Sequence, residues 1–164
     1  MPQRPFVDPN TYQSVGEFGL AWSWFERCVL KRHASTPKIM TAISSEEITN
    51  ERLLNECERF KTCMLQFAGN RQNVLWALKF RPGTDDAARD TVRDWLDNNE
   101  CTYQAPIAAI YRIRCNLGHG EKDVLMAANQ VGLFDTAKDV LDAYSEKLEL
   151  LPILNPAEHR RHRG

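Results

Sequence analysis

The chain has 164 residues, of which 43% are hydrophobic and 26% charged, with a formal net charge of −1. That length suits one domain and excludes a two-domain enzyme of ordinary size. A near-neutral balance excludes a general nucleic-acid coat, which needs a basic domain.

Five cysteines (Cys28, Cys57, Cys63, Cys101, Cys115) show no Cys-x-x-Cys pair and no Cys/His cluster, so no metal is expected and reduced thiols are. No run of about 18 apolar residues suggests a membrane span. No signal segment opens the chain, which points to a cytoplasmic protein. Charge is unevenly spread. Residues 45–100 carry eight Lys+Arg against eleven Asp+Glu, whereas residues 1–44 carry five against three.

In chain order, Pro2, Pro5 and Pro9 predict an irregular N-terminal segment over residues 1–10. Phe18, Trp22, Phe25, Val29 and Leu30 then recur every three or four positions, predicting an amphipathic helix from Tyr12 to His33. Ala34 to Ser44 contains Pro37 and reads as a loop. Ser44-Ser45-Glu46-Glu47 has the serine and early carboxylates of a helix start. Ile48, Leu54, Cys57, Lys61, Met64 and Ala68 continue that helix's stripe to Gly69-Asn70. A short helix over Asn73 to Phe80 closes at Pro82-Gly83. Thr84-Asp85-Asp86 caps another that ends at Asn98-Asn99. Tyr103 to Leu117 follows, with Pro106 in its first turn. Val124 to Val131 can be helical, and Asp135 is placed to cap a last helix carrying Val140, Leu141, Tyr144 and Leu148. The sum is an all-α bundle of about five helices over residues 11–154. Residues 155–164 form a basic C-terminal tail, ending in His159-Arg160-Arg161-His162-Arg163.

Phosphate loops, nucleophile elbows and zinc-protease motifs are absent. The informative stretch is Ile110-Tyr111-Arg112-Ile113-Arg114-Cys115-Asn116-Leu117-Gly118-His119-Gly120. It collects two arginines, an asparagine and a histidine at one helix end. A guanidinium can hold a phosphodiester with two hydrogen bonds, and an imidazole moves protons near neutral pH.

This passage resembles the HEPN family, helical nucleotide-binding domains whose signature is Arg, four to six residues, then His. Both Arg114 and Arg112 stand at permitted distances from His119. Arg114-Cys115-Asn116-Leu117-Gly118-His119-Gly120 resembles the subgroup that reads Arg-Cys-Asn-Leu-Phe-His-Gly, with Gly118 in place of the aromatic. Ala21-Trp22-Ser23-Trp24-Phe25-Glu26 is similar to the start of the first helix in such proteins. The resemblance implies a HEPN-like bundle that forms a homodimer through its motif helices. It also implies metal-independent endoribonuclease activity, often in defence or toxin–antitoxin systems with an antitoxin or defence-system partner. The implied catalytic residues are Arg114, His119 and Asn116, with Arg112 and Glu26 supporting. RNA, cut to 2′,3′-cyclic phosphate ends, is the expected substrate, and no cofactor is expected. The other reading is an inactive module that binds nucleotide or RNA, or serves as a scaffold.

Overall fold

A computed structural model of the chain describes residues 9–31, 33–118 and 130–147. Its elements are α1 (Pro9–Phe25), running into a π-helical turn (Glu26–Leu30), then α2 (Thr36–Ala42), α3 (Glu51–Ala68), α4 (Arg71–Leu78), α5 (Asp86–Asn98), α6 (Gln104–Gly118) and α7 (Val131–Lys147). Among the described residues the fold is all-α, with one isolated antiparallel bridge between Glu47 and Thr102 and no strand. None of the described helices is long and apolar enough to cross a membrane.

Several boundaries differ from the sequence reading. Helix α1 starts at Pro9, inside the segment expected to be irregular, because proline lacks only an N–H that a first turn leaves unbonded anyway. The α-helix stops at Phe25, and the π turn carries the stripe from Phe25 to Leu30 before Lys31 ends it at φ 61°. The expected loop over Ala34 to Ser44 contains α2. Ser35 caps it by accepting from the Lys38 N–H, and Pro37 lies in its first turn. The third helix begins at Glu51, not at Ser44, with Asn50 accepting from the Leu53 N–H. Residues 46–48 instead pair with residues 101–103, through Ile48 N to Cys101 O (2.9 Å) and Tyr103 N to Glu46 O (3.1 Å). Asp135 lies within α7, which already starts at Val131. Of the helix expected over 124–131, residues 124–129 lie outside the described residues, as does the tail 155–164.

Helix α7 packs on both α1 and α3, with Phe18 against Phe134 (5.6 Å between ring centroids) and Phe25 edge-on to Tyr144 (5.4 Å). Helix α5 packs on α6 and α4, and its Trp95 meets Phe60 of α3. Between these groups runs α6. From Gln104 to Ile110 every residue is buried, the pattern of a helix apolar all round at the centre of a core. Lys61, expected on the stripe of α3, is buried, and its ammonium reaches the Asn99 carboxamide and the Glu58 carboxylate. Of the four tryptophans, Trp22 and Trp95 are core residues, Trp24 is half-buried and Trp76 is exposed.

Candidate functional site

The last two turns of α6 change character. Between Tyr111 and Asn116, polar side chains project on several faces of the helix. Residues advance about 100° per position, so Arg112 and Asn116 share one face while Arg114 lies about 160° from both.

The Arg112–Asn116 face packs on the C-terminal end of α4. Arg112 donates from Nε to Leu78 O (3.0 Å) and from Nη2 to Lys79 O (2.6 Å). Asn116 donates from Nδ2 to Ala77 O (3.0 Å). These carbonyls close the last turn of a helix and lack partners within it, so the two side chains cap α4 from outside. Lys79, the capping residue, sits in left-handed backbone at φ 53°. Arg112 and Asn116 are both buried, which makes these bonds costly to lose.

The carboxylate facing Arg112 belongs to Asp85, fully buried just before α5. Its Oδ2 lies 3.9 Å from Arg112 Nη1 and accepts from the Arg81 N–H (2.8 Å) and Arg81 Nε (3.1 Å). Its Oδ1 accepts from Arg81 Nη2 (3.1 Å). Burial pushes the Asp85 carboxyl up, but the Arg81 side chain and backbone outweigh it and hold the group below its ordinary value. Asp85 therefore does not cap its helix by accepting a hydrogen bond there, as the sequence suggested. It joins two guanidiniums, Arg112 turned inward and Arg81 turned outward and half exposed. Arg81 and this junction were not singled out in the sequence, where only the Arg81/Asp85 spacing of four hinted at a pair.

Tyr111 and Cys115 occupy a third face. The Tyr111 hydroxyl donates to Ala34 O (3.2 Å), and the Tyr111 ring packs on Trp22 (5.8 Å). Burial, with the Cys115 contact, pushes the Tyr111 phenol up to about 12, while Arg81 and Arg112 pull the other way. Ala34 in turn donates its N–H to Glu26 Oε2 (2.9 Å), and His33 Nδ1 stands 4.0 Å from Glu26 Oε1. Glu26 thus clips the 33–35 turn to the π-helical turn; no hydrogen bond or ion pair joins it to Arg112 or Arg114. The sequence reading of Glu26 as a carboxylate that orients a motif arginine has no such contact behind it.

Arg114 is exposed, and its guanidinium makes no ion pair or hydrogen bond with another described side chain. His119, one position beyond the end of α6, lies outside the described residues. The structure thus brings Arg112 and Asn116 together on α4, leaves Arg114 on the opposite face, and holds Glu26 next to α6 through Ala34 and Tyr111. All five cysteines are free. Cys57 lies in contact with Cys101, and that contact with burial holds its thiol well above the ordinary range. Among the described residues, no group of three or more His, Cys, Asp or Glu side chains gathers in a way that could hold a metal ion. No family model, curated protein or solved structure matches the chain.

Proposed function

We propose that the chain is a metal-independent endoribonuclease of HEPN type, with a site completed by a second copy at a homodimer interface. The observation that carries this reading is the division of the two motif arginines. Arg112 is committed to α4 and Asp85, whereas Arg114 is exposed, and four residues separate it from His119 in the sequence. The guanidinium available to a phosphate is therefore the one in the subgroup-like sequence Arg-Cys-Asn-Leu-Gly-His-Gly.

The chemistry follows from these groups. A ribose 2′-hydroxyl attacks the adjacent phosphorus and the 5′-oxygen leaves, giving a 2′,3′-cyclic phosphate. One imidazole takes the hydroxyl proton and another protonates the leaving oxygen. These act on opposite sides of the phosphate, so a single His119 cannot easily serve both; a two-fold axis near α6 supplies the second. Arg114 offsets the negative charge that grows on the phosphoryl oxygens. DNA lacks the attacking hydroxyl and is not cut. A defence or toxin–antitoxin role, with a protein antitoxin as partner, is consistent with this activity.

The test is cleavage of a single-stranded RNA with chelator present. Wild type is expected to cut. His119→Ala should lose about 10²–10⁴-fold and Arg114→Ala about 10²–10³-fold, with unchanged circular dichroism. A heterodimer with one His119→Ala subunit should lose most activity; retention of half the rate would mean that each protomer works alone. Gly118, where the subgroup has an aromatic, favours a second reading. If wild type binds RNA or nucleotide through Arg114 but never cuts, the chain is a binding module.

A further inference from the structure

Arg81 stands apart from the other exposed arginines. Arg59, Arg89 and Arg93 pair with partly exposed acids on their own or neighbouring helices, and such pairs hold a side chain loosely. Arg81 is held by a fully buried carboxylate through Nε and Nη2 at once, with a third bond from its own N–H to the same group. Two parallel bonds fix the plane of a guanidinium as well as its position. About half of the side chain nevertheless remains exposed. The fork spends one edge on Asp85 and leaves its remaining N–H donors for another acceptor.

Its place matters as much as its rigidity. Asp85 also faces Arg112 of α6, and the Arg81 charge reaches Tyr111 and Cys115 on the neighbouring face of the same helix. Thr36, at the start of α2, lies beside Asp85. The 33–35 turn that precedes it is tied to Tyr111 through Ala34 and exposes His33, and Lys38 folds back onto that turn by donating to His33 O (3.2 Å). Lys31 is exposed just before it. The wall beside the last turns of α6 therefore carries Arg81, Lys38, His33 and Lys31. The carboxylates on it are already engaged, Asp85 by arginines and Glu26 by Ala34 and His33.

We propose that Arg81 binds a backbone phosphate of RNA flanking the cleavage site, on the Arg112 side of the motif helix, as a pre-oriented fork held by Asp85. The assignment rests on the endoribonuclease reading. Arg81 touches no reacting atom in this scheme; it fixes the path of the strand so that the scissile phosphate arrives at Arg114. A phosphate suits the site because Arg81 keeps unspent N–H donors, the neighbouring 31–38 segment carries Lys31 and Lys38, and the nearby carboxylates of Asp85 and Glu26 are already engaged.

The experiment uses the full chain carrying His119→Ala, so that RNA is bound and not consumed. Binding of a single-stranded oligoribonucleotide is followed by fluorescence anisotropy at several salt concentrations. Removing one phosphate contact lowers the slope of log K against log salt by about 0.7 for a single strand. Arg81→Met is expected to weaken binding and to lower the slope by that amount. Arg93→Met, which removes an equal exposed charge two turns into α5, should leave the slope unchanged. Arg81→Lys keeps a cation opposite Asp85 and so preserves the fold. It should retain the slope but bind more weakly than Arg81, since an ammonium cannot reproduce the fork. An unaltered slope for a folded Arg81→Met, or wild-type affinity for Arg81→Lys, overturns the assignment while RNA cleavage by the wild type leaves the endoribonuclease reading standing. If the wild type neither cuts nor binds RNA, both fall together.

Discussion

The two halves of α6 do opposite work. From Gln104 to Ile110 the helix is buried on every side and its contacts are apolar, apart from Gln104, whose amide donates to Met40 O and Ile43 O. From Tyr111 to Asn116 the same helix adds polar contacts that hold other pieces of chain: Arg112 and Asn116 the end of α4, Tyr111 the 33–35 segment. A helix anchored rigidly at one end can present a geometry at the other. The contrast teaches that the conspicuous arginines of the motif are not equivalent. One completes the scaffold and one is presented by it.

The sharpest way to break that distinction is to remove each arginine in turn. Arg112→Ala would leave Leu78 O and Lys79 O without their donor and Asp85 facing a cavity. Breaking a buried pair by removing one partner costs about 3–5 kcal/mol, so the variant should show a large drop in the urea midpoint. Arg114→Ala removes an exposed side chain and should stay within about 0.5 kcal/mol of wild type, although cleavage is lost. Equal stability losses in the two variants would end the division drawn between them.

Ile107→Ala probes the apolar half. Ile107 is fully buried, and truncation of such a side chain costs about 2–5 kcal/mol through lost transfer energy and an unfilled cavity. Asn116→Ala removes the donor to Ala77 O and should cost about 1–3 kcal/mol, less than Arg112→Ala because one carbonyl is orphaned and no charge is. Both changes are read by chemical denaturation. Hydrogen exchange would separate them, since Asn116→Ala should loosen the α4 amides selectively.

The helix pattern was largely legible in the sequence because it is local. Pro106 in a first turn, Gly69-Asn70 and Asn99 mark ends of helices that the structure bears out. What was missed depended on partners far along the chain. Ser44 does bind the Glu46 N–H, as a helix cap would, but residues 46–48 are drawn into pairing with residues 101–103, which no nearby residue announces. Pro37 reads as a breaker unless Ser35 is recognised as a cap two positions earlier. The π turn is invisible to a strict 3.6-residue pattern, since Leu30 fits only if the helix widens. For the site, the sequence offered Arg112 and Arg114 as alternatives. The carbonyls that engage Arg112 lie 33 and 34 residues away, and backbone acceptors carry no sequence signature. Arg81 escaped notice for the same reason: its place next to α6 is set by Asp85.

Asp85 gives a pH test of the junction. Its carboxyl is held below the unfolded value, so the ionised form is the one that the fold prefers. The stability it contributes is complete above the unfolded pKa, near 4, and is lost as pH falls through the folded value. The stability difference between wild type and Asp85→Asn should be level above about pH 5 and shrink below pH 4. A difference that instead widened on acidification would show that Asp85 is a liability to the fold.

Asp139 on α7 is the counterpart that shows what Arg81 and Arg112 accomplish, because it is a carboxylate without such a clamp. Burial, and then the neighbouring Glu56 carboxylate, push it above its ordinary value, and Arg59 at 3.5 Å offsets only part of that. The sign is opposite to that of Asp85. A raised carboxyl is disfavoured when ionised, so its cost appears as pH rises through the unfolded and then the folded pKa, and is absent in acid. Asp139→Asn removes the charge. Arg59 keeps its contact with Glu56 at 2.8 Å, so little is lost in exchange. The side chain is more than a third exposed, and solvent screens the effect, so the gain should be only about 0.5 kcal/mol or less at neutral pH and should vanish below pH 4. Thermal unfolding at pH 7 and pH 3.5 reads this directly. A variant less stable than wild type at pH 7 would mean that Arg59 supports Asp139 much as Arg81 supports Asp85, and that the guanidinium junction at α6 is not exceptional in this fold.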